Sequence, residues 1–371
     1  MCRNRSRLLL AIGAWLSCVA VGFCQQADDA PVKLEAAETA KQTDQEQSTT
    51  DAEDARADAN DKQADDEKAR PKRKYIRISR DENNKPLALE TSVITFAPAG
   101  EKHQGVTIEL VGAVHVGDAA YYAQLNKVFE SYDVLLFELV APEGTKIPKG
   151  GRKQTGSAVG ALQGGMSSLL DLEHQLQQVD YTKKNFVHAD MTPEEFAKSM
   201  NDRGESFFQM FLKSLGQSTA MQATGKQPIS DTELLFALLS KDRSLRLKRL
   251  LARQFEDMES SMLIFDGPEG STIITERNKK CFEVLKKQLE NGNKRIGVFY
   301  GAGHLADMEQ RLEKEFAMER TGEKWIVAWD LKSPAIPKAS QGDDKSSDAA
   351  PTESEEDRSP FDEPEQRKKA S

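Results

Sequence analysis

One motif, G-A-x-H-x-x-D, occurs twice in the sequence. The copies are Gly112–Asp118, which contains His115, and Gly301–Asp307, which contains His304. Each copy follows an apolar stretch and precedes a segment with helical spacing, as the turn between a strand and a helix does. Open α/β sheets place ligand sites at such turns, at the carboxyl ends of parallel strands. We therefore expect both histidines, with Gly112 and Gly301 beside them, to line one crevice, and the two aspartates to cap their helices.

A glutamate and an arginine are the next candidates. Glu138 closes DVLLFELV, whose nearly continuous apolar run is typical of a strand covered on both faces. Arg277 falls on the apolar stripe that Ile274 and Cys281 define in STIITERNKKCFEVLKKQLENG, and a guanidinium there needs an anionic partner, either Glu138 or a substrate carboxylate. The alternatives are a structural ion pair or solvent-facing strand end for Glu138, and a snorkelling side chain for Arg277.

His188 and Asp190 end the predicted strand NFVHAD and are further candidates for the same crevice, although a core histidine with a satisfied partner is an equal alternative for His188. Cys281 has the spacing of a buried structural thiol. The sequence contains no P-loop, Rossmann glycine fingerprint, HExxH or GxSxG motif, which argues against the common phosphate, dinucleotide, zincin and serine hydrolase sites.

Two histidines and a carboxylate are ligands of catalytic divalent ions. We expect His115, His304 and Glu138 to hold manganese, cobalt or zinc, with Arg277 stabilising an oxyanion or orienting the acid. If Glu138 is not a ligand, it is a candidate general base. Two other hypotheses stay open: a metal-free hydrolase with a histidine base, and a binding protein without turnover. Because the ligand set is small, a subunit interface is another way to complete it.

Two strand–turn–helix–strand units position these residues. They are VTIELVGAVHVGDAAYYAQLNKVFESYDVLLFELV and KRIGVFYGAGHLADMEQRLEKEFAMERTGEKWIVAWDL, and they predict an α/β fold with a central, mostly parallel sheet. The segments YIRISR and LALETSVITFAP, which precede the first unit, predict a strand or hairpin. A helical insertion at about 155–290, in which Thr192 and Pro193 begin one helix, separates the two units and is a candidate cap over the site.

The ends of the chain differ from residues 75–333, which we expect to form the folded domain. Residues 1–24 have the arginines and apolar run of a signal peptide, so we expect an exported protein, periplasmic or secreted, or one tethered to the membrane by an uncleaved signal. Residues 25–74 and the acidic tail 334–371 contain few large apolar side chains and are expected to be disordered. The net charge of −9 comes mainly from these ends, which leaves no basic domain for nucleic acid.

The two GxxH motifs, the strand-terminal glutamate in FEL and the ERN tripeptide before the second motif resemble the TraB/PrgY/GumN family, which includes the Tiki proteins. The resemblance covers roughly residues 88 to 330. It implies an α/β domain related to the erythromycin esterase and ChaN-like superfamily, with His115, Glu138, Arg277 and His304 as the site. Some members inhibit peptide pheromone signalling, and Tiki members are metal-dependent proteases that trim a secreted signalling protein. The resemblance therefore implies a metalloprotease-like hydrolase with a peptide or protein substrate.

Overall fold

The computed structural model describes residues 73–151, 168–206, 209, 230–266 and 270–332. The predicted signal peptide, the acidic tail, all but the last two residues of the predicted linker and parts of the predicted helical insertion lie outside these residues.

The strands of the described residues form two sheets. In chain order they are β1 (Ile76–Arg80), β2 (Pro86–Pro98), β3 (Thr107–Ala113), β4 (Val116–Gly117), β5 (Val134–Phe137), β6 (Glu173–His174), β7 (Phe186–His188), β8 (Arg295–Gly301) and β9 (Met318–Asp330). Strands β4 and β6 pair with each other, and the others form the large sheet. The large sheet therefore carries the fold, while the β4–β6 pair follows directly on the end of β3.

Strand β2 divides the large sheet into two parts. Strand β9 pairs with one edge of β2, while β1 and β3 pair with successive halves of the other edge, all antiparallel. Beyond β3 the order is β8, β5, β7, and these pairings are all parallel. Within the described part of the sheet, the strands other than β2 consequently run in one direction. The expectation of an α/β fold with mostly parallel strands is confirmed in this form.

The helices with described bounds are α1 (Ala119–Phe129), α2 (Gln175–Gln178), α3 (Pro193–Asp202), α4 (Asp231–Leu239), α5 (Arg243–Asp266), α6 (Arg277–Glu290) and α7 (Leu305–Phe316). A π-helical turn, Thr272–Glu276, leads into α6, and a 3₁₀ turn, Ala302–His304, leads into α7. The Thr192 side chain caps α3 as expected, in a capping box with Glu195. None of the described helices is long and apolar enough to cross a bilayer.

Consecutive residues of β8 show how helices cover the sheet. The Phe299 ring packs against Phe129 of α1, with 4.7 Å between ring centroids, whereas Tyr300 lies against Cys281 of α6. Because successive strand side chains point to opposite faces, α1 and α6 cover opposite sides of the sheet. This coverage explains why all four residues of β5 are buried.

Three local expectations can be compared with these elements. Strands β1 and β2 form the predicted hairpin, and Cys281 is a buried free thiol as expected. The two motif copies do not align residue for residue, because β3 and β8 pair Gly112 with Tyr300 and Ala113 with Gly301. Their turns differ as well, since the first contains β4 and the second a 3₁₀ turn.

Candidate functional site

Glu138 lies at the carboxyl end of β5, where its backbone N–H donates to the carbonyl of Phe299 at the end of β8. Its side chain is 6% exposed. Oε1 accepts a hydrogen bond from Arg277 Nη2 at 2.7 Å, and Oε2 accepts one from the Gly301 backbone N–H at 2.6 Å. Burial alone would raise the pKa of Glu138, but Arg277, the neighbouring histidines and the Gly301 N–H together lower it to about 2. The residue is therefore a buried carboxylate at neutral pH.

Arg277 connects this carboxylate to a second one. Its guanidinium donates from Nε to Asp190 Oδ1 at 3.0 Å and from Nη2 to Asp190 Oδ2 at 2.6 Å, in addition to the bond to Glu138. The Arg277 side chain is 1% exposed, and that of Asp190 is fully buried. Burial lowers the pKa of Arg277, but the two carboxylates outweigh this and raise it. One buried cation thus faces two buried anions, which leaves this group with a net charge of −1.

His304 lies beside Glu138 at the start of α7. Its Nδ1 is 2.7 Å from Asn278 Oδ1, and its Nε2 is 3.6 Å from Glu138 Oε1. Within the described residues Nε2 is buried and has no hydrogen-bond partner. Burial lowers the pKa of His304, Glu138 raises it and Arg277 lowers it, with a result of about 4. The imidazole is consequently neutral at pH 7.

Gly301 marks the point where three candidates converge. A Cβ atom placed on this glycine would lie 3.3 Å from Glu138 Oε2, 3.7 Å from His304 Cδ2 and 3.9 Å from His115 Nε2. His115 Nδ1 is buried without a hydrogen-bond partner among the described residues. The pKa of His115 is lowered by burial, raised by Glu138 and lowered by Arg277, with a net decrease. A glycine here leaves room beside two neutral imidazoles and a carboxylate.

Other predicted site residues lie in different surroundings. Asp190 contacts Arg277 and so belongs to the site. His188 Nε2 is hydrogen-bonded to the Leu139 carbonyl, and no described contact links His188 to Glu138 or His304. A Cβ on Gly112 would meet Leu305 Cδ2 and the Ser92 carbonyl oxygen, both at 3.2 Å. The face of Gly112 that a side chain would occupy is therefore filled by the packing of β3 against β2 and α7, and its place in the crevice stays a prediction.

Neither motif aspartate makes a side-chain capping hydrogen bond to its helix. Asp118 occupies the N-cap position of α1 without a capping hydrogen bond, and its carboxylate instead accepts from Lys248 and from the Asp330 N–H. Asp307 lies inside the first turn of α7, where it accepts from Asn278 and Arg311. The N-cap position predicted for Asp118 is confirmed, although its side chain binds other elements, whereas the prediction for Asp307 is wrong because His304 occupies the N-cap position of α7.

Asn278 is a site residue that the sequence reasoning missed. It follows Arg277 in the ERN tripeptide and is fully buried. Its Oδ1 is hydrogen-bonded to His304 Nδ1, and its Nδ2 donates to the His304 carbonyl and to Asp307 Oδ2. The signal that could have revealed Asn278 was its position next to Arg277, since both residues are buried at the start of α6. A π-helical turn immediately before it, a feature frequent at functional sites, sets the start of α6.

A divalent ion can be tested against these atoms. Two ligands at about 2.1 Å from one tetrahedral ion lie roughly 3.4 Å apart. The 3.6 Å between His304 Nε2 and Glu138 Oε1 matches this spacing, and the Nε2 atom has no hydrogen-bond partner among the described residues. Across the described ranges, however, no three His, Cys, Asp or Glu side chains group closely enough to form a full ligand set. The spacing of His304 Nε2 and Glu138 Oε1 therefore fits a divalent ion. His115 Nε2 lies 3.9 Å from the Cβ position of Gly301, which is also 3.3 Å from Glu138 Oε2.

Comparison of the chain with models of known protein families, with curated proteins and with solved structures found no match.

Proposed function

We propose that this protein is an exported metal-dependent hydrolase of the TraB/PrgY/GumN type that cleaves a peptide bond. The observation that carries the proposal is the buried Nε2 of His304, which has no hydrogen-bond partner in the described part of the chain and lies 3.6 Å from Glu138 Oε1. The export component rests on the signal-like sequence of residues 1–24, and the peptide substrate rests on the family resemblance.

The proposed catalytic frame consists of the two strand–GAxH–helix units, with the helical insertion between them in the chain. Strands β3, β8 and β5 lie side by side and parallel, so their carboxyl ends bring His115, Gly301 and Glu138 to one edge of the sheet. Ligand sites of open α/β sheets lie at this edge. This placement supports a site at the carboxyl ends of the strands, and His304 lies in the turn that follows β8.

In this proposal Glu138 and His304, with His115 beside them, would hold a divalent ion, and such an ion would supply Lewis-acid polarisation of a carbonyl and a more acidic water. Arg277 orients Glu138 by donating to Oε1, while the Gly301 N–H fixes Oε2. Because Arg277 also binds Asp190 through two nitrogen atoms, we favour orientation of the acid over oxyanion stabilisation as its role. The net charge of −1 on Arg277, Glu138 and Asp190 favours a bound cation.

A metal-free hydrolase is the second candidate, and one specific observation favours it. Both oxygens of Glu138 already accept short hydrogen bonds from Arg277 and Gly301, so the carboxylate has partners without an ion. In that mechanism the neutral His304 accepts a proton at Nε2 from water or a nucleophile, and Glu138 stabilises the imidazolium that forms.

Metal content distinguishes the two candidates. The purified protein is dialysed against manganese, cobalt and zinc in turn, and bound metal is measured by mass spectrometry in the parent, in His304→Ala and in His103→Asn. His103 is the matched control because it lies in a loop with a φ of 61°, a conformation that asparagine tolerates. We expect about one ion per chain in the parent and control and none in His304→Ala. No retained ion in the parent would favour the metal-free candidate.

A further inference from the structure

The Asn278 carboxamide is held in one orientation by its surroundings. Its Nδ2 donates to the His304 carbonyl at 3.1 Å and to Asp307 Oδ2 at 2.8 Å. Turning the amide over would direct Oδ1 at these two acceptors, and a buried amide opposed by two acceptors is unfavourable. The Oδ1 atom therefore points at His304 Nδ1, 2.7 Å away.

This orientation determines which nitrogen of His304 carries hydrogen. A carboxamide oxygen only accepts, so the short contact requires a hydrogen on Nδ1. In a neutral imidazole the other nitrogen is then a bare acceptor. His304 Nε2 accordingly presents a lone pair toward Glu138 Oε1, and two electron-rich atoms that face each other in this way suit a shared cation or a transferred proton.

A second carboxamide stands in the corresponding relation to His115. Gln175 donates from its backbone N–H to the His115 carbonyl at 2.9 Å and from Nε2 to Tyr181 Oη, also at 2.9 Å. Its Oε1 and His115 Nδ1 are both buried without a hydrogen-bond partner among the described residues. Gln175 nevertheless acts to raise the pKa of His115, as an acceptor near Nδ1 does. A hydrogen bond between these two atoms would satisfy both.

We propose that Asn278 and Gln175 are a pair of positioning residues, each holding one motif histidine as the Nδ1–H tautomer so that both Nε2 atoms face Glu138. The proposal rests on the proposed function, since it concerns the ligands of that same site. Metal-binding histidines commonly donate their second ring N–H to a neighbouring acceptor, which fixes ring orientation and tautomer. Here the acceptors are neutral amides, so they fix the rings without adding negative charge to a site that already has a net charge of −1.

The tautomers can be measured directly in the intact protein. Long-range ¹H–¹⁵N correlation spectra of the ¹⁵N-labelled, metal-free chain at pH 7.5 distinguish Nδ1–H, Nε2–H and doubly protonated rings. The signals of the two residues are assigned by their disappearance in His304→Gln and His115→Gln. We expect Nδ1–H for both in the parent. An Nε2–H tautomer or an imidazolium at either position would overturn the proposal for that residue. This measurement does not depend on whether variants of Asn278 or Gln175 fold.

Replacement of each amide tests the cause. In Asn278→Leu, Nδ1 loses its acceptor while Glu138 remains in reach of Nε2, so we expect His304 to change to the Nε2–H tautomer. Gln175→Leu should have the same effect on His115 and leave His304 unchanged. The matched control is the exchange variant Asn278→Asp with Asp307→Asn, which keeps an acceptor toward Nδ1 and the same net charge, and in which we expect Nδ1–H to return. An unchanged His304 tautomer in Asn278→Leu contradicts the proposal.

Cobalt affinity separates this proposal from the proposed function. Loss of such a partner weakens metal binding by about 10- to 100-fold, so Asn278→Leu should bind Co²⁺ that much more weakly than the parent, with recovery in the exchange variant. Circular dichroism checks that each variant is folded. Expected tautomers without Co²⁺ uptake in the parent support the positioning role and contradict metal dependence. Co²⁺ uptake with the wrong tautomer supports metal binding and overturns the positioning role.

Discussion

The substitution Arg277→Met measures how much the buried ion pairs of Arg277 contribute to the free energy of unfolding. Methionine retains an unbranched stem of similar width but removes the guanidinium that lies 2.7 Å from Glu138 and 2.6 Å from Asp190. Removal of one partner of a buried ion pair costs about 3–5 kcal/mol, because the remaining charge has neither water nor a counter-ion. Two carboxylates, 6% and 0% exposed, lose their partner here, so we expect at least about 3 kcal/mol of destabilisation at pH 7.

Urea unfolding followed by circular dichroism measures this change. With a slope of about 2–3 kcal/mol per molar urea, the midpoint should fall by about 1–2 M. The control is Arg253→Met, whose side chain is half exposed and 3.9 Å from Glu233, and which should change stability by less than about 1 kcal/mol. In Arg277→Met, burial without a counter-ion raises the pKa of Glu138, so the deficit should shrink from pH 7 to pH 5. A loss below about 1 kcal/mol at pH 7 would refute the reasoning.

Four further predictions concern the site and helix α6 beside it. The pKa of His304 is about 4 in the folded protein against an ordinary value of 6.5. Its neutral form therefore contributes about 3 kcal/mol to the free energy of unfolding, and this contribution is present above pH 6.5 and lost as the pH falls to 4. Urea titrations of the parent should show this loss, and those of His304→Gln should lack it. The lowered pKa of Glu138, about 2 against 4.5, extends the acid destabilisation from pH 4.5 toward 2, and an unchanged acid limb in Glu138→Gln would contradict that assignment. Gly301→Ala should abolish Co²⁺ binding, because the added methyl group lies 3.3 Å from Glu138 Oε2, whereas Gly100→Ala, which meets no atom within 4 Å, should bind normally. Burial raises the pKa of the Cys281 thiol, so peptide mapping after iodoacetamide treatment should show labelling of this residue only in urea.

The α/β character of the fold was predictable because local signals agreed with the final structure. Continuous apolar runs such as Val134–Phe137 become strands buried on both faces, and Thr192 with Pro193 begins a helix as expected. The antiparallel addition of β9 to β2 was not predictable in this way, because strand order depends on contacts between residues more than 200 positions apart.

At the site, residue types and strand ends sufficed to nominate Glu138 and its ion pair with Arg277. The two motif glycines lie in different surroundings. Gly112 and Gly301 have equivalent places in the motif, but the β3–β8 register differs from the motif alignment by one residue, so only Gly301 faces the carboxylate. Asn278 was missed despite its adjacency to Arg277, because its role depends on the three atoms that the fold places around its amide group.

The most direct test of the central claim is metal-dependent cleavage of peptides. The chelator-treated protein is incubated with a diverse peptide mixture, with and without added Co²⁺, and new termini are identified by mass spectrometry for the parent, Glu138→Gln and His103→Asn. The account predicts cleavage only with Co²⁺, in the parent and His103→Asn but not in Glu138→Gln. Equal cleavage by the parent with and without Co²⁺, each lost in Glu138→Gln, would contradict metal dependence and support a metal-free hydrolase at the same site.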